Sequence, residues 1–161
     1  MRLAELGLDT TLIEKGLSLV NGPPMCHLHA GGNLYREISD EQCLTLLKQS
    51  IDTAKVYPHS INARPTIIAL PKTDDGQPED LLPRLQKLTT RYRELVDQDI
   101  RNKVLGEPEN YFRFYSREAL TTLAKKPMPT IAQQDSDWLI AFAKHVDLDN
   151  LKYPVLLVQE Y

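Results

Sequence analysis

Two cysteines, Cys26 and Cys43, are all the thiol chemistry in this 161-residue chain. Their spacing outlines no disulfide framework, which argues against a stapled secreted scaffold and for free thiols in a reducing cytoplasm. Long apolar runs are lacking too: no stretch approaches the ~18 residues that would suggest a membrane span. The opening MRLAELGLDTTLIEKGLSLV lacks the unbroken apolar core of a secretory signal, because Glu5, Asp9, Glu14 and Lys15 interrupt it. It reads as amphipathic instead. Excess positive charge is also missing. The 19 basic and 22 acidic residues leave a net charge of −3, so nothing draws the whole chain to nucleic acid or to an anionic membrane. There is no internal repeat, no low-complexity tract, no P-loop and no G-x-G-x-x-G.

What is present belongs to an ordinary globular protein: 42% apolar and 25% charged residues. A chain of this length can bury a core without metal or disulfide support. The expectation is a single domain over 1–161, with 1–22 as an N-terminal helical appendage. Leu3, Leu6, Leu12, Ile13, Leu17 and Val20 fall near one helical face, and Asn21-Gly22-Pro23-Pro24 ends it.

Met25 to His29 and Asn33 to Ile38 read as a hairpin about Gly31-Gly32. Ser39 and Gln42 have the spacing of a capping box, with Ile38 as a staple on Cys43. The helix they open presents Cys43, Leu44, Leu47, Ile51 and Ala54 inward and stops before Pro58. Thr66 to Leu70 is a buried strand. The longest helix is expected at about 78–105, with Leu81, Leu85, Leu88, Tyr92, Leu95, Val96, Ile100 and Val104 at helical spacing. Tyr111 to Ser116 alternates, placing Phe112 and Phe114 on one face and Tyr111, Arg113 and Tyr115 on the other. Two capped helices follow, at Ser116 and at Asp135 or Ser136; the second turns Trp138, Leu139, Phe142 and Val146 inward. Val155 to Val158 is apolar on consecutive residues, which fits a central strand covered on both faces. The fold class expected is α+β: a mixed sheet of about four or five strands with helices packed on it.

One stretch invites chemistry. In CHLHAGGN, His27 and His29 stand two apart, so on a strand both imidazoles share a face and can hold one cation. A third ligand would come from Glu37, Asp40 or His59. His27-Leu28-His29 resembles the histidine pair of the HUH single-strand nucleases. That resemblance covers three residues; it implies a divalent ion and a helix tyrosine as nucleophile, which Tyr57 or Tyr92 would supply. Asn33 to Ser39, with Tyr35-Arg36, resembles the opening strand of ADP-ribosyltransferases, and a snorkelling arginine on an edge strand explains it as well. Cys26 or Cys43 beside a histidine is a further candidate pair, although Cys43 falls on a packed helix face. Gly31-Gly32 needs no phosphate, since a hairpin turn asks for glycine anyway. Arg84, Lys87, Arg91 and Arg101 form a basic stripe, diluted by Glu94, Asp97 and Asp99. With Arg113, Arg117, Lys125 and Lys126, and with Tyr111 and Tyr115 for stacking, it is the only footing for nucleic acid.

Two functional readings follow. The first is a small binding or regulatory module of the cytoplasm that docks another protein, of inhibitor, immunity or accessory-subunit type. Its docking patch is expected at Tyr111, Arg113 and Tyr115, with Tyr161 nearby, and it uses no cofactor. The second is a metal-dependent hydrolase or nuclease with His27 and His29 as ligands of a divalent metal.

Overall fold

The computed structural model describes residues 2–17, 38–60, 65–131 and 135–159. The hairpin expected at 25–38 therefore lies outside the described residues, apart from Ile38.

The N-terminal helix is a single turn, α1 (Arg2–Glu5). Gly7 adopts φ +80°, a conformation that costs glycine little and other residues more. Its N–H donates to the Ala4 carbonyl at 3.0 Å, and the Leu8 N–H donates to the Leu3 carbonyl at 3.1 Å. These two bonds are those of a Schellman motif, which closes a helix. Of the helical appendage expected over 1–22, the described residues 2–17 are helical only over Arg2–Glu5, and 18–22 lie outside the described residues. Residues 8–17 are exposed and carry no regular structure.

Helix α2 (Asp40–Val56) starts as its cap predicts: the Gln42 N–H donates to Ser39 Oγ at 3.1 Å. Cys43, Leu47, Ile51 and Ala54 are buried, with Ile38 and Leu44 packed beside them. Strand β1 (Thr66–Ile68) comes next. A 3-10 turn over Pro78–Leu81 leads into helix α3 (Leu82–Gln98). The long helix expected at about 78–105 is shorter at both ends. Pro83 sits in the first turn of α3, where its missing N–H is no loss. At the far end Asp99 is extended, and its carboxylate accepts the Arg101 N–H at 3.0 Å, capping a separate 3-10 turn over Ile100–Asn102. Ile100 is consequently 69% exposed rather than inward.

Strand β2 (Phe112–Tyr115) follows a turn over Pro108–Asn110. Helix α4 (Arg117–Ala124) is capped by Ser116, whose Oγ accepts the Ala119 N–H at 3.2 Å. Helix α5 (Asp135–His145) lies against it, and Lys144 Nζ donates to the Ala124 carbonyl at 2.8 Å, at the end of α4. On α5 the buried residues are Leu139, Ile140 and Ala143, while Phe142, and Val146 just past the helix, pack at the margin.

Strand β3 (Val155–Val158) is central in a three-stranded antiparallel sheet of order β1-β3-β2. The expected mixed sheet of four or five strands is replaced, among the described residues, by three antiparallel ones. Two of the expected strands are the arms of the hairpin at 25–38. The sheet separates two apolar layers. Leu156 and Val158 pack with α2 and α3, joined by Ile68 and Phe112. Val155 and Leu157 pack with α4 and α5, joined by Ile67 and Tyr115. All four β3 residues are buried, as a consecutive apolar run covered on both faces requires.

Beyond Ile68 the β1–β3 pairing resumes at Pro71 opposite Leu151. Between Ile68/Leu156 and that bridge lie two residues on one side and four on the other. The cis Tyr153–Pro154 bond sits in the longer side. Lys152 fastens this end, donating from Nζ to the carbonyls of Asp74 at 2.6 Å and Gly76 at 2.7 Å.

Candidate docking surface

Strand β2 forms one edge of the sheet. Its pairing with β3 sets Arg113 opposite Leu157 and Tyr115 opposite Val155. One pair further out, the Gln159 N–H donates to the Tyr111 carbonyl at 2.8 Å. Narrow pairs alternate in an antiparallel ladder. Tyr111, Arg113 and Tyr115 therefore direct their backbone groups at β3, and Phe112 and Phe114 direct theirs at the open edge. Among the described residues no strand lies on that side.

The side chains complete the picture. Phe112 and Phe114 share the α2/α3 face, their rings edge-to-face at 5.5 Å and 73°. Phe112 is half-buried, but Phe114 is 43% exposed. Arg113 is exposed on the opposite face, and Tyr115 is half-buried against the α4/α5 layer. The exposed apolar residue of the edge is thus Phe114, which alternation alone assigns to the core. A two-residue period tells which face a residue lies on, not whether its strand is central or at an edge.

Tyr111 does not belong to this surface. It is fully buried, with its ring 5.8 Å from that of Tyr92. It precedes β2, and its N–H closes the preceding turn on the Pro108 carbonyl at 3.2 Å. Of the docking patch expected at Tyr111, Arg113 and Tyr115, Tyr111 is thus buried, Arg113 exposed and Tyr115 half-buried. Tyr161 lies outside the described residues.

Tyr92 is no nucleophile either. It is fully buried, its hydroxyl donates to the Gly106 carbonyl at 2.8 Å and accepts the Leu105 N–H at 3.0 Å. A buried phenol satisfied in both directions is a structural group. Tyr57 is exposed just past α2.

His27, His29, Cys26 and Glu37 lie outside the described residues. Of the other ligands considered for the histidine pair, His59 is exposed on the turn over Pro58–Ser60. Asp40 is already engaged. Lys87 Nζ donates to it, as does Arg84 Nε at 2.9 Å, and Arg84 also reaches the Ile38 carbonyl at 2.8 Å. The hydrogen bonds from Lys87 and then Arg84 hold the Asp40 carboxyl below the ordinary carboxylate range. Among the described residues no group of three His, Cys, Asp or Glu side chains is placed to hold a metal ion. Cys43 is buried in the α2/α3 layer as a small apolar residue. The ADP-ribosyltransferase-like segment lies outside the described residues up to Glu37; Ile38 and Ser39 serve as staple and cap.

The basic stripe of α3 is neutralised where it stands. Arg84 and Lys87 bind Asp40; Arg91 pairs with Glu94 at 2.9 Å, and Arg101 with Asp99 at 2.9 Å. Arg117 pairs with Asp149. Of the two tyrosines expected to stack on bases, Tyr111 is fully buried and Tyr115 half-buried.

No described helix is long and apolar enough to cross a membrane. Comparison with protein-family models, with curated proteins and with solved structures finds no match.

Proposed function

We propose that this protein is a binding module that docks another protein, of inhibitor, immunity or accessory-subunit type, and that the open edge of β2 is where it does so. One observation carries the reading: Phe114 is a large apolar side chain left 43% exposed on a strand whose outward backbone groups meet no neighbouring strand among the described residues. Such an edge offers main-chain hydrogen bonds and a side-chain pocket to an extended partner, the mode called β-augmentation. The other edge strand, β1, exposes no comparable apolar side chain. The helix caps, the sheet register and the two apolar layers all specify one fold, which suits a rigid platform.

The test is affinity capture from the native host with wild type and with Phe114→Asp, followed by amide exchange on the isolated complex. A partner held by wild type and lost from the variant, with slowed exchange at the Phe112 and Phe114 amides, is the expected result. A partner retained by Phe114→Asp sinks the β2 assignment.

A further inference from the structure

The described residues hold a second concentration of exposed apolar side chains. Leu3, Leu6, Leu8, Leu12, Ile13 and Leu17, in the N-terminal arm, make up half of the large apolar residues exposed among the described ones. Leu12 is 79% exposed and Ile13 87%. The arm's centre, Thr10-Thr11-Leu12-Ile13-Glu14, has no regular structure, and Thr and Ile are β-favouring types. It is a strand's sequence without a sheet.

We infer that the arm of one copy adds to the β2 edge of a second copy, with Ile13 opposite Phe114, Glu14 opposite Arg113 and Leu12 opposite Tyr115. The inference rests on the reading of β2 as a docking edge and takes a second copy of this chain, rather than a different protein, as what docks there.

Three observations select this occupant and register. First, Leu12, Ile13 and Phe114 are exposed in the single chain, as is Arg113, so among the described residues the arm does not cover its own edge. Second, side chains alternate in both strands. In this antiparallel register Ile13 falls beside Phe114 on the α2/α3 face, while Leu12 and Glu14 fall beside Tyr115 and Arg113 on the other. Third, the charges agree. A slip of one residue puts Ile13 opposite Arg113 and Glu14 opposite Phe112; a slip of two puts Leu12 opposite Arg113. Only the register given pairs the carboxylate with the guanidinium, and opposite charges facing each other across strands are favourable. A guanidinium has five N–H donors, so Arg113 keeps whatever it already holds. Glu14 Oε1 accepts the Gly16 N–H at 2.6 Å, which leaves its second oxygen for Arg113. A two-fold exchange makes the contact twice, so each substitution acts at two places.

Sedimentation equilibrium of the full chain over a range of concentrations is the first measurement, with circular dichroism on each variant to confirm folding. Wild type is expected to dimerise. Ile13→Asp should weaken the dimer by about tenfold or more. Glu14→Arg and Arg113→Glu should each weaken it by roughly two- to thirtyfold, and their combination should restore it, since each removes two exposed pairs. Glu14→Cys with Arg113→Cys places two thiols at a pair that exchanges no ladder bonds, where strands approach within disulfide reach. Mild oxidation should then give a covalent dimer on a non-reducing gel that the parent chain, with its own two cysteines, does not give. A monomeric double mutant bridged within its own chain overturns the exchange, because the arm then covers its own edge. So does a dimer indifferent to Ile13→Asp. If wild type stays monomeric while Phe114→Asp still loses a captured partner, the exchange fails and the docking reading stands. If neither association responds to Phe114→Asp, both fail.

Discussion

Tyr92 and Tyr111 show how a polar tip decides where an aromatic residue belongs. Tyr92 lies on the apolar stripe of α3, so its burial is legible from spacing; its two hydrogen bonds, to Leu105 and Gly106, come from a turn more than ten residues away in sequence. Tyr92→Phe should destabilise the protein by about 1–3 kcal/mol, because it leaves the Leu105 N–H buried without its acceptor. The urea midpoint, at unchanged slope, checks this. Tyr111 misleads, since alternation runs through it although the strand begins one residue later. At Asp99 the lesson is electrostatic. The Arg101 guanidinium and backbone N–H bind its carboxylate and hold its pKa at about 2, against an ordinary 3.8. A carboxyl held low stabilises the fold fully above the ordinary value, and that contribution fades as pH falls from 3.8 towards 2. Asp99→Asn should therefore be less stable than wild type near neutrality, with the gap closing across that acid window. Thermal melts at a series of pH values measure it; a constant gap down to pH 2 would contradict the assignment.

At the scale of elements, what could be read in advance was what local chemistry decides. Ser39 and Ser116 open α2 and α4 as their side chains predict, because each hydroxyl needs only the backbone N–H of the residue three positions on. Ser39→Ala should cost about 1 kcal/mol by chemical denaturation, and Ser39→Asp should recover most of it, since an N-terminal carboxylate also suits the helix dipole. Element ends were harder. The apolar spacing of α3 continues past Gln98 in the sequence, through Ile100 and Val104, but the helix does not; the break at Asp99 is set by a carboxylate that finds the Arg101 N–H. In the N-terminal segment the leucines keep helical spacing past Gly7, yet Gly7 makes the Schellman closure that stops α1. Spacing reports which side chains would share a face if the helix ran on; it does not report the cheaper ending.

For the whole molecule, the sheet's central strand was legible and its edges were not. Val155-Leu156-Leu157-Val158 is apolar on both faces, and only a strand with a layer on either side can bury such a run. That β2 is the neighbour on one flank, with nothing beyond it among the described residues, depends on which chain segments meet, which no local pattern encodes. The exposure of Phe114 is hidden from sequence for that reason: its alternation matches Phe112, and only its place at the rim exposes it. The two layers make a prediction that separates core from edge. Leu156 faces α2 and α3, and Leu157 faces α4 and α5, each fully buried. Leu156→Ala and Leu157→Ala should each destabilise by about 2–5 kcal/mol. Because they lie on opposite sides of one strand and share few partners, the double variant should lose close to the sum. Phe114→Ala, at the rim, should lose well under half as much, since much of its ring is already in water. Should Phe114→Ala prove as damaging as Leu157→Ala, Phe114 is a core residue, and the open edge loses the side chain on which its docking role rests.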